Sequence, residues 1–276
     1  MKMLLGLTRP TEGSFRIDGK TNPPDRIAIL REVGSFLEAP AFYGNLTGEE
    51  NLEIIRKILG LPKSSVADAL ELVGLTPFRK RQAKQYSLGM KQRLGLAGAL
   101  IGQPPILILD EPTNHLDARA ISFLVETVKN WSGAVLMSSH DRAFIEDTAT
   151  VIYDMDVSVW NELAKATGST QVTGLYRCAG AYSKYLAEKT NARRKHRDLH
   201  IAQQAEKRLL RKHRQEASMI ARGGVRLASA EGKAKKFFAD RAAATAQRRM
   251  RNDDKRGERL NEQEVRRPRS YELTFK

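Results

Sequence analysis

The chain has 276 residues, 41% of them apolar, enough for one full domain with an appendage or for two small domains around a buried core. Its single cysteine, Cys178, excludes an intrachain disulfide framework and a Cys-rich zinc site, and fits a reducing, cytoplasmic setting. No apolar run reaches the roughly 18 residues that cross a bilayer, and the opening MKMLLGLTRPTEG has no long apolar stretch with a small-residue cleavage site, so a chain neither secreted nor membrane-spanning is expected.

The formal charge of +15 is unevenly placed. Residues 189–267 carry 24 Lys/Arg and 10 Asp/Glu, a net +14, which leaves +1 for everything else. A near-neutral domain joined to a strongly basic arm is the expected organisation.

Up to about residue 160, short apolar runs (GSFRIDG, ILILDEP, AVLMSSH) alternate with amphipathic stretches, the pattern of a parallel α/β sheet. Ser14-Phe15-Arg16-Ile17 followed by Asp18-Gly19 predicts a strand entering a tight turn. Ile106-Leu107-Ile108-Leu109 has the apolar run of a strand buried on both faces, and Asp110-Glu111 sits where such a strand delivers its end to a ligand crevice. Two readings of the acids stand side by side. They are a solvated acidic turn, or Asp110 holds Mg²⁺ through water while Glu111 polarises a water attacking a γ-phosphate.

The neighbouring segments decide between them. Tyr86-Ser87-Leu88-Gly89-Met90-Lys91-Gln92-Arg93 lies upstream, Asn114-His115-Leu116-Asp117 follows, and Val135-Leu136-Met137-Ser138-Ser139-His140 completes the series. In this order and at these separations the segments resemble the signature motif, Walker B strand, D-loop and switch histidine of the ABC ATPase family. The resemblance implies ATP and Mg²⁺ as cofactors, with Glu111 and His140 catalytic and Asp110 holding the metal through water. Ser87 and Gly89 then open a helix whose N–H groups and dipole face a γ-phosphate bound by a partner domain. Asp117 falls at the domain–domain seam, Glu38 where a glutamine is usual, and His115 reads as structural. Ser-Leu-Gly-Met replaces the commoner Ser-Gly-Gly-Gln, a variant similar to exporters of the bacitracin-resistance kind.

A phosphate-binding loop needs Gly, four residues, then Gly-Lys-Ser/Thr, and no such string occurs. The nearest, Gly13 to Gly19-Lys20-Thr21, has five intervening residues. Met1–Leu7 resembles the helix that follows this loop in the family, so the start reads as internal to a domain. Nucleotide binding or hydrolysis by this chain alone is therefore not expected.

Beyond Thr170 the chain becomes long charged stretches, and between Tyr182 and Val265 the one clear breaker is Arg222-Gly223-Gly224-Val225. Two long helices meeting there are predicted, zipped by Leu199, Ala202, Leu209 and Ile220 against Ala234, Phe238 and Ala242. Ser270–Phe275 reads as the start of a strand.

From Asn114 onward, Asn114–Asp117, Ser138–Phe144 and Gly180–Leu186 resemble the first ATPase domain of an ABC-F protein, a family without a transmembrane partner. The whole is then an α/β truncated P-loop NTPase (ABC) domain over 1–165, a connecting segment 166–188, a long basic α-helical hairpin 189–267, and the start of a second ABC domain at 268–276. This implies a ribosome or RNA partner, with Arg222, Arg226, Lys233, Lys235 and Lys236 as RNA contacts, a second ABC domain in cis or trans, and a role in antibiotic resistance or translation. The alternatives are the ATP-binding subunit of an ABC exporter partnered by a membrane permease, supported by residues 1–113, and a defective chimeric fragment.

Overall fold

Asp18 and Gly19 both take positive φ, +46° and +74°, and fold β1 (Phe15–Ile17) back onto β2 (Lys20–Asn22) as an antiparallel hairpin. This is the turn that an Asp-Gly pair favours. The computed structural model describes residues 1–22, 24–37, 42–169, 174–228 and 233–268, without the side chains of 22, 221–228 and 233–240. It divides into two compact units, Met1–Ala149 and Thr150–Lys276.

In the first unit, α1 (Arg26–Glu32) leads into β3 (Val33–Phe36), the first strand of a parallel sheet. Its helices α2 (Gly48–Leu59), α3 (Ser64–Leu72) and α4 (Leu88–Leu100) intervene before β4 (Ile106–Asp110). After β4 come α5 (Ala118–Lys129), β5 (Ala134–Ser138) and α6 (Arg142–Thr148). The strand order is β3-β4-β5, all parallel, with β4 in the centre.

Alternation along β4 builds two cores. Leu107 and Leu109 join Phe36, Leu52, Leu70, Leu96, Leu124 and Phe144 on one face, while Ile108 joins Leu5, Ile29 and Val33 on the other. A strand covered on both faces has to be apolar throughout, which is why ILIL preceded the acids. Each fully buried leucine of the set contributes about 2 kcal/mol over leaving it exposed.

Met1–Leu7 departs from the helix expected of it. It forms successive turns, with Leu4 N–H donating to Met1 O at 3.0 Å and Gly6 N–H to Met3 O at 3.0 Å, and Gly6 at φ +67°. Gly6 in the left-handed region interrupts the run of turns, yet Leu5 still fills the second core at 4% exposure.

The second unit pairs β6 (Val151–Asp154) antiparallel with β7 (Tyr176–Ala179), adds α7 (Ser158–Thr167), and extends into α8 (Tyr182–Ala228) and α9 (Lys233–Glu262). Helix α8 has 47 residues, a length of about 70 Å. Cross-hairpin pairs Lys207–Glu264, His213–Asp253 and Arg214–Asp254 fix an antiparallel register. No helix among the described residues is long and apolar enough to cross a membrane.

Two expectations for the hairpin are corrected. Helix α8 runs straight through Arg222-Gly223-Gly224-Val225 and ends at Ala228. The seam is also not the aliphatic row expected, since Ala202, Leu209, Ile220 and Ala242 are exposed and Leu199 is half-buried. The inner face of α8 carries Lys189, Ala192, His196 and Gln203, all buried. The reason is backbone satisfaction. Past the end of α9 the chain needs partners, and Gln203 supplies them by donating to Gln263 O at 2.8 Å and accepting from Val265 N–H at 3.0 Å. The His196 ring lies 2.9 Å from Arg266 O. The side chains of Ala234, Phe238 and the five expected RNA contacts lie outside the described ones, as does all of Ser270–Phe275.

Candidate functional site

The end of the central strand gathers three of the expected side chains. Asp110 closes β4 beside Ser138 of β5, whose hydroxyl donates to Asp110 Oδ1 at 2.5 Å. Glu111 then turns the chain in the left-handed region at φ +49°, with its N–H donating to Ser138 O at 2.9 Å. A non-glycine residue in that region carries strain on the order of 1 kcal/mol. The turn aims the carboxylate at the end of β5, where Oε2 accepts the His140 N–H at 3.1 Å and Oε1 lies 3.4 Å from His140 Nε2.

The environments of the two groups differ. The Glu111 side chain is 18% exposed and the imidazole 97% exposed, so the acid is sheltered while the histidine faces solvent. A sheltered carboxylate holding one nitrogen of an open imidazole can orient water and pass a proton. Behind them, Thr113 Oγ1 lies 3.3 Å from Ser139 Oγ, which also accepts the Asp141 N–H at 3.0 Å. Asp141 caps α6 by accepting Phe144 N–H at 3.1 Å. Sequence reasoning missed Ser138, Ser139 and Thr113 as supports. The adjacent hydroxyls before His140 were the available signal.

The second expected group lies at helix starts. Ser87 is the N-cap of α4, its Oγ accepting Met90 N–H at 3.3 Å, and Leu88 is 55% exposed beside it. Gly89 has a packing reason, because a Cβ there would stand 3.3 Å from His115 O. His115 itself is left-handed at φ +61°, and two residues on Asp117 caps α5 by accepting Ala120 N–H at 2.8 Å. Glu38 lies outside the described residues.

The donor set fits the metal and γ-phosphate side of a Mg-nucleotide. Asp110 offers a carboxylate with one oxygen held by Ser138, and Glu111 and His140 adjoin it. Mg²⁺ needs one or two such carboxylates and keeps several waters. The phosphate-wrapping loop has no counterpart in the sequence. No cluster of three or more His, Cys, Asp or Glu that could hold a metal directly occurs among the described residues. A cleft of about 540 Å³ between α2, β3 and α4 is a separate feature, lined by Phe36, Asn51, Ile55 and Leu94 among others and by none of the three acid–base residues.

The profile of the ABC transporter family matches residues 1–114. YybJ of Bacillus subtilis strain 168, an uncharacterised ABC transporter ATP-binding protein, is 32% identical over 160 residues, 56% of this chain and 73% of that protein. The chain belongs to the ABC transporter ATP-binding family. The bacitracin transport ATP-binding protein BcrA of Enterococcus faecalis is 45% identical over 157 residues, covering 55% of this chain and 51% of BcrA. A solved ATP-binding subunit of an ABC transporter superposes with a TM-score of 0.51 at 29% identity, over 54% of this chain and 65% of that one. The chain thus spans about half the length of BcrA.

These relatives correct the functional expectation. A ribosome-associated ABC-F protein does not stand, because the similar proteins are transport ATP-binding proteins, and the BcrA alignment of 157 residues exceeds the 113 over which exporter resemblance was expected. The chimeric reading loses its support for the same reason. The ABC family binds ATP with Mg²⁺ as a class.

Proposed function

We propose that this chain is part of the ATP-binding subunit of an ABC exporter and works with a separate membrane permease. The observation that carries the reading is the meeting of Glu111 and His140 beside Asp110 at the end of the central parallel strand. Similarity to BcrA supports an exporter over other members of the family.

In this reading residues 1–165 form the ABC portion. Asp110 would hold Mg²⁺ through water, Glu111 would polarise the attacking water, and His140 would donate to the γ-phosphate. Ser87 and Gly89 present the N-terminal amides of α4 to a nucleotide held by a second ABC domain, with Asp117 at the seam between them. Bound Mg-ATP would supply the γ-phosphoryl group, whose transfer to water breaks the β–γ anhydride, releases ADP and phosphate, and drives transport. The bacitracin named for BcrA points to an amphipathic peptide antibiotic as cargo.

The test is recovery of a tagged chain from membranes of its host, solubilised in mild detergent with Mg-ATP present. A multi-span permease retained in stoichiometric amount is the expected result. A chain that leaves the membrane fraction entirely, or that travels with ribosomes, overturns the reading.

A further inference from the structure

The basic arm is not used by the exporter reading, and its outer surface has a composition of its own. On α8, Arg194, Arg197, Ile201, Arg208, Lys212 and Met219 are all exposed. Their spacings of three, four, seven, four and seven residues place them in one stripe. The stripe lies opposite the seam formed by Ala192, His196 and Gln203, and runs about 38 Å along the helix. Ile201 is 59% exposed and Met219 65%, with Leu209 and Ile220 exposed at its margin.

Half of the eight acids whose side chains are described on the arm are engaged elsewhere, while the exposed Asp198 and Glu216 flank the stripe. Glu206 pairs with Arg256, Glu264 with Lys207, Asp253 with His213 and Asp254 with Arg214, all between the two helices or at their base. Within the stripe, Lys212 meets only the marginal Glu216 at 3.9 Å. The cations that face outward on α8 therefore keep their charge available to a polyanionic partner.

The choice of partner rests on the apolar residues. Single-stranded nucleic acid is held by cations together with aromatic platforms, and residues 190–267 contain no Tyr or Trp, only the adjacent Phe237 and Phe238. Exposed Ile and Met add nothing to phosphate binding. At a bilayer surface they do, because aliphatic side chains enter the headgroup–acyl boundary while Arg and Lys extend their stems to the phosphates.

We propose that the outer face of α8 is a docking surface for an anionic phospholipid bilayer, with the helix lying along the headgroups and Ile201 and Met219 entering the boundary. Helix α9 provides an internal contrast. Its outer stripe of Arg241, Arg248, Arg251, Lys255 and Arg259 is equally exposed but has no large exposed aliphatic residue among those described. It faces away from α8 and takes little part in the contact.

Flotation of the full chain with vesicles tests this. Phosphatidylcholine vesicles containing about a third phosphatidylglycerol should carry the chain to the top of the gradient and pure phosphatidylcholine should not, with binding weakening as salt rises. The triple change Arg197→Glu, Arg208→Glu, Lys212→Glu should weaken binding on the order of a hundredfold. The change Ile201→Ser with Met219→Ser leaves the charge intact and should weaken it about tenfold. Reversing Arg248 and Lys255 of α9 should alter it by no more than about threefold. Circular dichroism confirms that each variant keeps its helices.

Equal flotation with neutral vesicles overturns the proposal. So does full anionic binding by the Ile201/Met219 variant, as does RNA binding with no flotation, which would make the arm a general polyanion surface. A permease recovered with a chain that ignores vesicles leaves the exporter reading intact and sinks only this one.

Discussion

The Glu111 carboxylate accepts the backbone N–H of His140 at 3.1 Å and lies 3.4 Å from its Nε2, so one side chain ties the end of the central strand to the second residue beyond the neighbouring β5. The contact has a structural part, the N–H bond, and a chemical part, the carboxylate charge. Substitutions separate them.

Glu111→Gln keeps an oxygen for the His140 N–H and loses the charge. Its denaturation midpoint should stay within about 0.5 kcal/mol of the parent, while ATP turnover in the permease-bound assembly should fall by about a hundredfold or more. Glu111→Ala should lose the turnover and also on the order of 1 kcal/mol of stability. Phosphate release and guanidinium titration read the two effects. Full turnover by Glu111→Gln removes Glu111 as the base.

Gly34 and Gly257 should respond in opposite directions to alanine. A Cβ on Gly34 would stand 2.0 Å from Ala99 O, because β3 passes directly over the backbone of α4. No rotamer relieves a backbone clash, so Gly34→Ala should cost several kcal/mol, about 3 or more, and reduce soluble yield. Gly257 sits inside α9 with nothing within 4 Å of the added carbon. Gly257→Ala should therefore stabilise the hairpin by about 0.5–1 kcal/mol, seen as a raised thermal midpoint of its helical signal. Loss of stability at Gly257 would mean the helix is bent or crowded there.

Parts of this molecule are legible in one dimension for a simple reason. The ILIL run, the two acids and the Asp18-Gly19 turn are local, and local sequence determines them through periodicity and backbone preference. The polar seam of the hairpin is not local, because His196 and Gln203 answer backbone groups of residues 263–266, some 60–70 positions away. The Gly223-Gly224 pair misled because its helix penalty, about 1 kcal/mol per glycine, is small against the packing along a 47-residue helix. At the candidate site, residue types and their order pointed to Asp110, Glu111 and His140, but the left-handed Glu111 that aims the carboxylate leaves no mark in the sequence. The ribosomal reading failed for another reason. It rested on short motifs and arm charge, which a bacitracin transport ATP-binding relative aligned over 157 residues outweighs.

Lys189 and Asp154 anchor the hairpin to its small sheet. Their charged groups are 2.6 Å apart with side chains only 11% and 10% exposed, and Tyr185 O–H also donates to Asp154 at 2.8 Å. Removing one partner strands a sheltered charge, so Lys189→Met should cost about 3 kcal/mol. Replacing both, with Asp154→Leu added, should recover much of that loss, because the carboxylate left without Lys189 is then Asp156, 3.6 Å from the lysine in the parent and 42% exposed to water. Denaturant midpoints for the two singles and the double complete the cycle. A double variant weaker than Lys189→Met refutes the account.

Tyr176 gives the second unit an alkaline limit. Burial first, and then the Glu188 carboxylate that accepts its O–H at 2.8 Å, push Tyr176 up to about 12 from its ordinary 10. The ring also stacks on Trp160 at 3.9 Å, which keeps it in that environment. The sign follows from which state holds the proton more tightly. Tyr176 is raised in the folded chain, so its contribution is fully present below pH 10 and is lost as pH climbs through about 12. The denaturation midpoint should therefore fall across that window, and Tyr176→Phe should flatten the fall while lowering the midpoint at neutral pH, where the Glu188 bond is lost. Glu188→Gln removes the negative charge beside the phenol, so tyrosinate absorbance, read as a difference from the Tyr176→Phe variant, should appear at lower pH than in the parent. A parent difference titration centred at 10 would show the phenol to be open to water and would end the argument.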